Sequence, residues 1–90
     1  MNDVIELSKK LINTQSVTPN DNGCQSIVAE ILTQNGFQIT SLPGEKTTNL
    51  WAEQPGNKPL FAFSGHPDTV PAGDLEAWLS PPFQASIRDD

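Results

Sequence analysis

The spacing of apolar residues changes at Gly36, and this change restricts the fold more than any other feature. Before Gly36, apolar side chains recur at helical intervals, which predicts a first helix over residues 3–14 and a second around residues 27–35. After Gly36, apolar and polar residues begin to alternate, as they do in half-buried strands. The sequence therefore predicts an α/β fold with two amino-terminal helices followed by a mixed sheet.

Four segments of the second half have strand character. Residues 37–42 show partial alternation, and residues 49–53 are a second candidate. Residues 83–87 alternate cleanly before an Asp-Asp turn at 89–90. Residues 60–63 are continuously apolar and bounded by turn residues, which predicts a central strand covered on both faces. Because a final strand that ends in a turn needs a returning partner, we expect residues 1–90 to be the truncated amino-terminal part of a larger domain.

The charge balance disfavours two classes of partner. Five Lys and Arg against eleven Asp and Glu give a formal charge of -6, which repels nucleic-acid phosphates and anionic lipid surfaces. The longest apolar run is far shorter than the ~20 residues that span a bilayer. No export signal is visible, and Cys24 is the only cysteine. We therefore expect a cytoplasmic protein that binds neither nucleic acid nor membrane.

His66 and Asp68 are the candidate functional residues. They open an irregular segment, residues 65–82, that contains four prolines and two glycines, and such long loops are often functional. In an extended backbone, residues two apart project from the same face, and Pro67 disfavours helix at His66. An imidazole beside a carboxylate is the usual arrangement at a metal. The alternative is that Asp68 is an ordinary turn residue.

A complete metal site is not present in the sequence. A catalytic zinc ion needs about three protein ligands and an open position, and His66 is the only histidine. Three other potential ligands lack ligand spacing, and we expect them to be structural or solvated: Cys24, Asp74 and Glu76.

The segment around His66 carries a resemblance to a known family. Its residues match the signature Gly-His-x-Asp-x-Val-Pro of the zinc metallopeptidase and aminoacylase family, which the whole chain resembles. A second stretch is similar to one branch of that family. The two stretches are Gly65-His66-Pro67-Asp68-Thr69-Val70-Pro71 and Gly73-Asp74-Leu75-Glu76 before Trp78.

The resemblance implies a zinc-dependent amide hydrolase with a di-zinc aminopeptidase-like catalytic domain. By that likeness His66 is a zinc ligand, and Asp68 belongs to the catalytic residues as the carboxylate that orients the metal-bound histidine. The resemblance also implies two zinc ions per active site, with cobalt as an alternative metal, a small-molecule N-succinyl amino acid as substrate, and a homodimer at full length. Because the other ligands and the general base would follow residue 90, we expect the 90 residues to be inactive alone.

Two other functions remain possible from the sequence. The first alternative keeps the same family and chemistry: an acetylornithine deacetylase or a dipeptidase. From a different class, His66-Pro67-Asp68 is also the tripeptide of J-domains, which are binding modules. That interpretation predicts an almost wholly helical chain with the tripeptide in a loop between two helices, and the acidic charge and apolar run disfavour it.

Overall fold

The computed structural model describes residues 3–88. Its first two elements are the helices α1, Asp3–Asn13, and α2, Cys24–Gln34. Both agree with the helices predicted from apolar periodicity, to within a residue or two at most ends. Acidic residues occupy the first turn of α1, and Lys10 lies in its last turn. These charges complement the partial charges at the two ends of a helix.

Local hydrogen bonds fix both ends of α2. The carboxylate of Asp21 accepts from the backbone N–H of Gly23 at 3.1 Å and of Gln25 at 3.1 Å, which satisfies donors that the helix start leaves free. At the other end, Gly36 has a φ of 88°. The N–H of Gly36 reaches the carbonyl of Thr33 at 3.1 Å. The predicted stop at Gly36 is confirmed, because only glycine adopts this conformation without strain.

A two-stranded antiparallel sheet follows the helices. Strand β1, Gln38–Pro43, pairs with β2, Thr48–Glu53, in a register that places Gln38 opposite Glu53. Helix α2 contacts both strands, and α1 contacts α2. The side-chain amide of Gln25 donates to the carbonyl of Thr48 at 2.6 Å, tying α2 to the start of β2. The α/β class is confirmed, but the sheet of the described residues is antiparallel rather than mixed.

The central strand predicted at residues 60–63 is not formed. Leu60, Phe61 and Phe63 lie in irregular backbone with 86%, 80% and 92% of their surface exposed. A central strand needs hydrogen-bonding neighbours on both sides and cover on both faces, and no strand of residues 3–88 pairs with this run. The prediction was wrong for this structure, because an apolar run by itself supplies neither neighbour nor cover.

The strand predicted at residues 83–87 is also absent. Residues 83–88 form a turn and irregular backbone, and Ile87 is 58% exposed. The alternation of apolar residues was present, but within the described part of the chain no strand lies beside it to complete the ladder. The predicted turn at residues 89–90 lies outside the described residues.

Fully buried side chains are few and lie near the loop between the helices. Cys24 is 0% and Ser16 is 2% exposed. Cys24 packs at the junction of the helices, where its Sγ lies 3.9 Å from the carbonyl oxygen of Leu11. The interior of this part of the chain is therefore small, and it is centred on the segment that joins α1 to α2.

Over residues 3–88, no helix has the length and apolar character needed to cross a membrane.

Candidate metal centre

The structure brings His66 and Asp68 together, as their spacing predicted. Nδ1 of His66 lies 2.7 Å from Oδ1 of Asp68. The two residues lie in irregular backbone, and the strand predicted just before them at residues 60–63 is not formed. Their side chains are 80% and 43% exposed, respectively. The pair is thus a contact between neighbours in an open loop.

The contact with Asp68 determines which ring nitrogen of His66 is available to bind a metal ion. An ionised carboxylate only accepts hydrogen bonds, so Nδ1 of His66 must carry the hydrogen that it donates to Asp68. In the neutral ring, Nε2 then has a free lone pair. Metal-bound histidines commonly show this arrangement, with one nitrogen on a carboxylate and the other on the metal.

The surroundings of Asp68 favour its charged form. Hydrogen bonding from His66 first, and from the side chain of Thr18 second, holds the pKa of the Asp68 carboxyl below its ordinary value. Both contacts stabilise the carboxylate because it accepts from them. Asp68 is therefore ionised at neutral pH and remains an acceptor for the imidazole.

A distant loop holds the backbone of this pair. Val17 and Thr69 form an isolated parallel bridge. In it the N–H of Thr69 donates to the carbonyl of Ser16 at 3.0 Å, and the N–H of Thr18 donates to the carbonyl of Thr69 at 2.9 Å. We call this contact between residues 16–18 and 67–69 the loop clamp. It fixes the chain immediately after Asp68.

Ser16 adds a side-chain bond to the loop clamp. Its hydroxyl donates to the carbonyl of Pro67 at 3.0 Å, across 51 positions of sequence. Pro67 is the residue between His66 and Asp68. Residues 15–23 lie between the two predicted helices, and no local pattern indicated that this segment pairs with the segment around His66. Sequence reasoning therefore missed Ser16.

The pair lies at a cleft between the loop that joins α1 to α2, the segment around His66 and the hairpin formed by β1 and β2. The cleft has a volume of about 710 Å³, and the residues that line it include Thr18, Pro19, Gln25, Thr48, His66 and Asp68. A second cleft of about 600 Å³ lies between residues 15–22 and the hairpin loop at 44–48, away from the pair. Since only the first contains the histidine and its carboxylate, we assign the candidate site to it.

The other potential ligands lie elsewhere. Cys24 is buried between the helices, and Asp74 accepts from the N–H of Glu76 at 3.0 Å at the start of a short 3₁₀ helix, Leu75–Ala77. Asp74 therefore has a structural role, as expected. Within residues 3–88 there is no cluster of three or more side chains of the types that bind metals. His66 is the one nitrogen ligand that the candidate site offers from this part of the chain.

Fold and site together define an α/β chain whose open cleft contains a histidine–aspartate pair suited to a metal. No family model matches the chain. Curated relatives do match: the chain is 51% identical over 87 residues to the succinyl-diaminopimelate desuccinylase of Shewanella pealeana. It is 48% identical over 90 residues to that of Hydrogenovibrio crunogenus.

The similarity extends along the chain but not along the relatives. The two alignments include 97% and 100% of this chain, yet only 23% and 24% of the relatives. The chain thus spans about a quarter of the length of these curated relatives. The resemblance predicted from the residues around His66 is confirmed, and the branch that both relatives name is that of the succinyl-diaminopimelate desuccinylases.

Proposed function

We propose that the chain is part of a zinc-dependent amide hydrolase that removes succinate from N-succinyl-diaminopimelate, in diaminopimelate and lysine biosynthesis. The observation that carries the proposal is the 2.7 Å contact between His66 and Asp68, which leaves Nε2 free in a cleft. About half of the aligned residues of the two relatives are identical to those of this chain. The relatives support the choice of substrate, because their names state this reaction.

The residues present fit part of a zinc site. Imidazole nitrogen suits zinc and also cobalt, and Nε2 of His66 would hold the metal while Asp68 fixes the tautomer and orientation of the ring. About three protein ligands are usual at catalytic zinc, so other parts of a longer chain would complete the site. When bound, zinc polarises a carbonyl oxygen and lowers the pKa of a bound water.

We also propose that residues 1–90 do not hydrolyse the substrate alone. One histidine and a neighbouring carboxylate supply too few ligands for tight zinc binding. Calorimetric titration of the 90-residue chain should give weak binding, and succinate release should stay at background. Submicromolar affinity that disappears in His66→Ala would contradict this proposal and indicate a self-contained site.

The location and assembly of the longer protein follow from the resemblance. We propose a cytoplasmic homodimer, since the family resemblance implies a dimer. Sedimentation velocity on the longer protein tests the assembly, and cell fractionation tests the location. A monomer at micromolar concentration, or export from the cytoplasm, contradicts the respective part.

The function is tested by substrate comparison in the longer protein. Succinate release from N-succinyl-diaminopimelate should far exceed hydrolysis of N-acetylornithine or of a dipeptide. His66→Ala should abolish activity and lower the zinc content measured by mass spectrometry. Asn57→Ala, a change of an exposed residue in the irregular segment after β2, serves as the control and should change neither.

Two results would redirect the proposal. A preference for N-acetylornithine or a dipeptide would indicate a relative with the same chemistry and another substrate. Full activity of His66→Ala with normal zinc content would refute the metal role. The J-domain alternative has less support, because β1 and β2 are formed and the tripeptide does not lie between two helices.

A further inference from the structure

We propose that Ser16 is a positioning residue for the candidate metal ligand: its hydroxyl fixes the Pro67 carbonyl, and thereby the peptide that joins His66 to Asp68. The positioning itself is a property of this chain. Its consequence for metal binding rests on the function proposed above.

The exposure of the pair makes an outside anchor necessary. The ring of His66 is 80% exposed, so packing against neighbours does not set its orientation. Orientation must come from the contact with Asp68 and from the backbone that presents both side chains. An exposed two-residue contact confines its partners only weakly, because side-chain freedom and solvent compete with it.

Ser16 supplies the anchor. It is 2% exposed and is the single buried polar side chain among residues 3–88. Its hydroxyl reaches the carbonyl of Pro67 at 3.0 Å. A buried hydroxyl is stable only with a hydrogen-bond partner, so the bond holds Ser16 and Pro67 to each other in one arrangement.

The backbone bonds of the loop clamp act one residue further along. They engage Thr69, whereas the Ser16 side chain engages the peptide between His66 and Asp68. Removing the hydroxyl leaves both backbone bonds in place. We therefore expect Ser16→Ala to loosen the pair without unfolding the clamp. This separation of roles makes the proposal testable.

The first test observes the histidine directly. His66 is the only histidine of the chain, so ¹⁵N-histidine labelling of the metal-free 90-residue protein gives one set of ring signals. In its neutral form, the ring of the wild type should show a protonated Nδ1 and a free Nε2. In Ser16→Ala the ¹⁵N chemical shifts of Nδ1 and Nε2 should move toward each other as the second tautomer becomes populated.

Two further variants control this measurement. Ser86→Ala makes the same substitution at an exposed serine whose hydroxyl donates to that of Ser80 at 3.2 Å, and it should leave the ring shifts unchanged. Ser16→Cys keeps a weak donor in a side chain of similar size and should return the shifts part of the way. Backbone amide signals of β1 and β2 report whether each variant is folded. If Ser16→Ala unfolds the chain, the ring shifts of Ser16→Cys and of the wild type are compared instead, and this comparison decides whether Ser16 positions the pair.

The second test measures metal affinity in the longer protein. Mutation of a residue that orients a metal-bound histidine typically changes metal affinity or activity by ~10–100-fold. Because Ser16 acts through Pro67, we expect the lower end, about a tenfold weaker zinc affinity, with partial rescue by Ser16→Cys. Ser86→Ala should match the wild type.

The outcomes separate the two proposals. Unchanged ring shifts in folded Ser16→Ala overturn the positioning role, whatever the enzyme does. Altered ring shifts together with unchanged zinc affinity overturn its consequence for metal binding. Altered ring shifts in this chain, with no zinc-dependent activity in the wild-type longer protein, support the positioning role and count against the proposed function only.

Discussion

Replacing Asp68 by asparagine tests the histidine–aspartate pair most directly. The substitution Asp68→Asn keeps the shape of the side chain but removes the charge from a contact of 2.7 Å with His66. Hydrogen bonds to a charged acceptor are roughly twice as strong as neutral ones. The amide also offers an N–H₂ group, and donation from it to Nδ1 would favour the tautomer in which Nε2 carries the hydrogen and is blocked as a ligand.

The expected loss follows from the exposure of the contact. Changes to the carboxylate behind a metal-bound histidine typically cost ~10–100-fold in affinity or activity. Since 80% of the histidine and 43% of the aspartate side chain are exposed, solvent weakens the contact, and this favours the lower end. In the longer protein at saturating zinc, we expect Asp68→Asn to retain metal and to lose about tenfold in kcat.

The assay combines metal analysis with steady-state kinetics. Mass spectrometry should find zinc in Asp68→Asn but little in His66→Ala, because only the latter removes a ligand. Asp74→Asn is the matched control: it changes another exposed carboxylate of the same segment, whose partner is the N–H of Glu76. Full activity and normal zinc content in Asp68→Asn would refute the paired interpretation, and Asp68 would be a turn residue.

Three further predictions concern the chain itself. The lowered pKa of Asp68 means that its stabilising contribution is present above the ordinary aspartate pKa and is lost as the pH falls through the lowered value. The difference in urea midpoint between wild type and Asp68→Asn should therefore shrink on acidification, and a constant difference would contradict this cause. Gly36→Ala should destabilise the chain by roughly 1–2 kcal/mol because φ is 88° there. Gly56→Ala, where the φ is not positive and an added Cβ meets nothing within 4 Å, should be neutral in the same denaturation assay. The exposed residues Leu60, Phe61 and Phe63 should bind a hydrophobic dye, and Phe61→Ser with Phe63→Ser should reduce the fluorescence; dye binding that persists unchanged would place the apolar surface elsewhere.

Local signals were sufficient for the helices and the hairpin. The periodicity before Gly36 predicted α1 and α2, and the left-handed conformation at Gly36 ends α2 where expected. The alternation after Gly36 predicted β1, and the second strand candidate, residues 49–53, matches β2. These elements depend on residues close in sequence, so a local pattern contains most of the information that specifies them.

The two strand predictions that failed concern segments with no pairing strand among residues 3–88. Residues 60–63 and 83–87 have the composition and alternation of strands but irregular backbone. A strand is formed only when a neighbour supplies its hydrogen bonds, and composition does not specify that neighbour. The same limit applies to the site: spacing predicted the contact of His66 with Asp68, but not the bond of Ser16 across 51 positions.

The loop clamp has a consequence for the order in which the chain folds. Joining Val17 to Thr69 closes a loop that contains α2 and both strands, and the entropy lost on closing a loop increases with its length. Contacts of such long sequence separation slow folding. We infer that the helices and the hairpin form early, and that the N–H of Thr69 gains protection from hydrogen exchange late in refolding. The surroundings of His66 would then be the last part of the chain to acquire their native geometry.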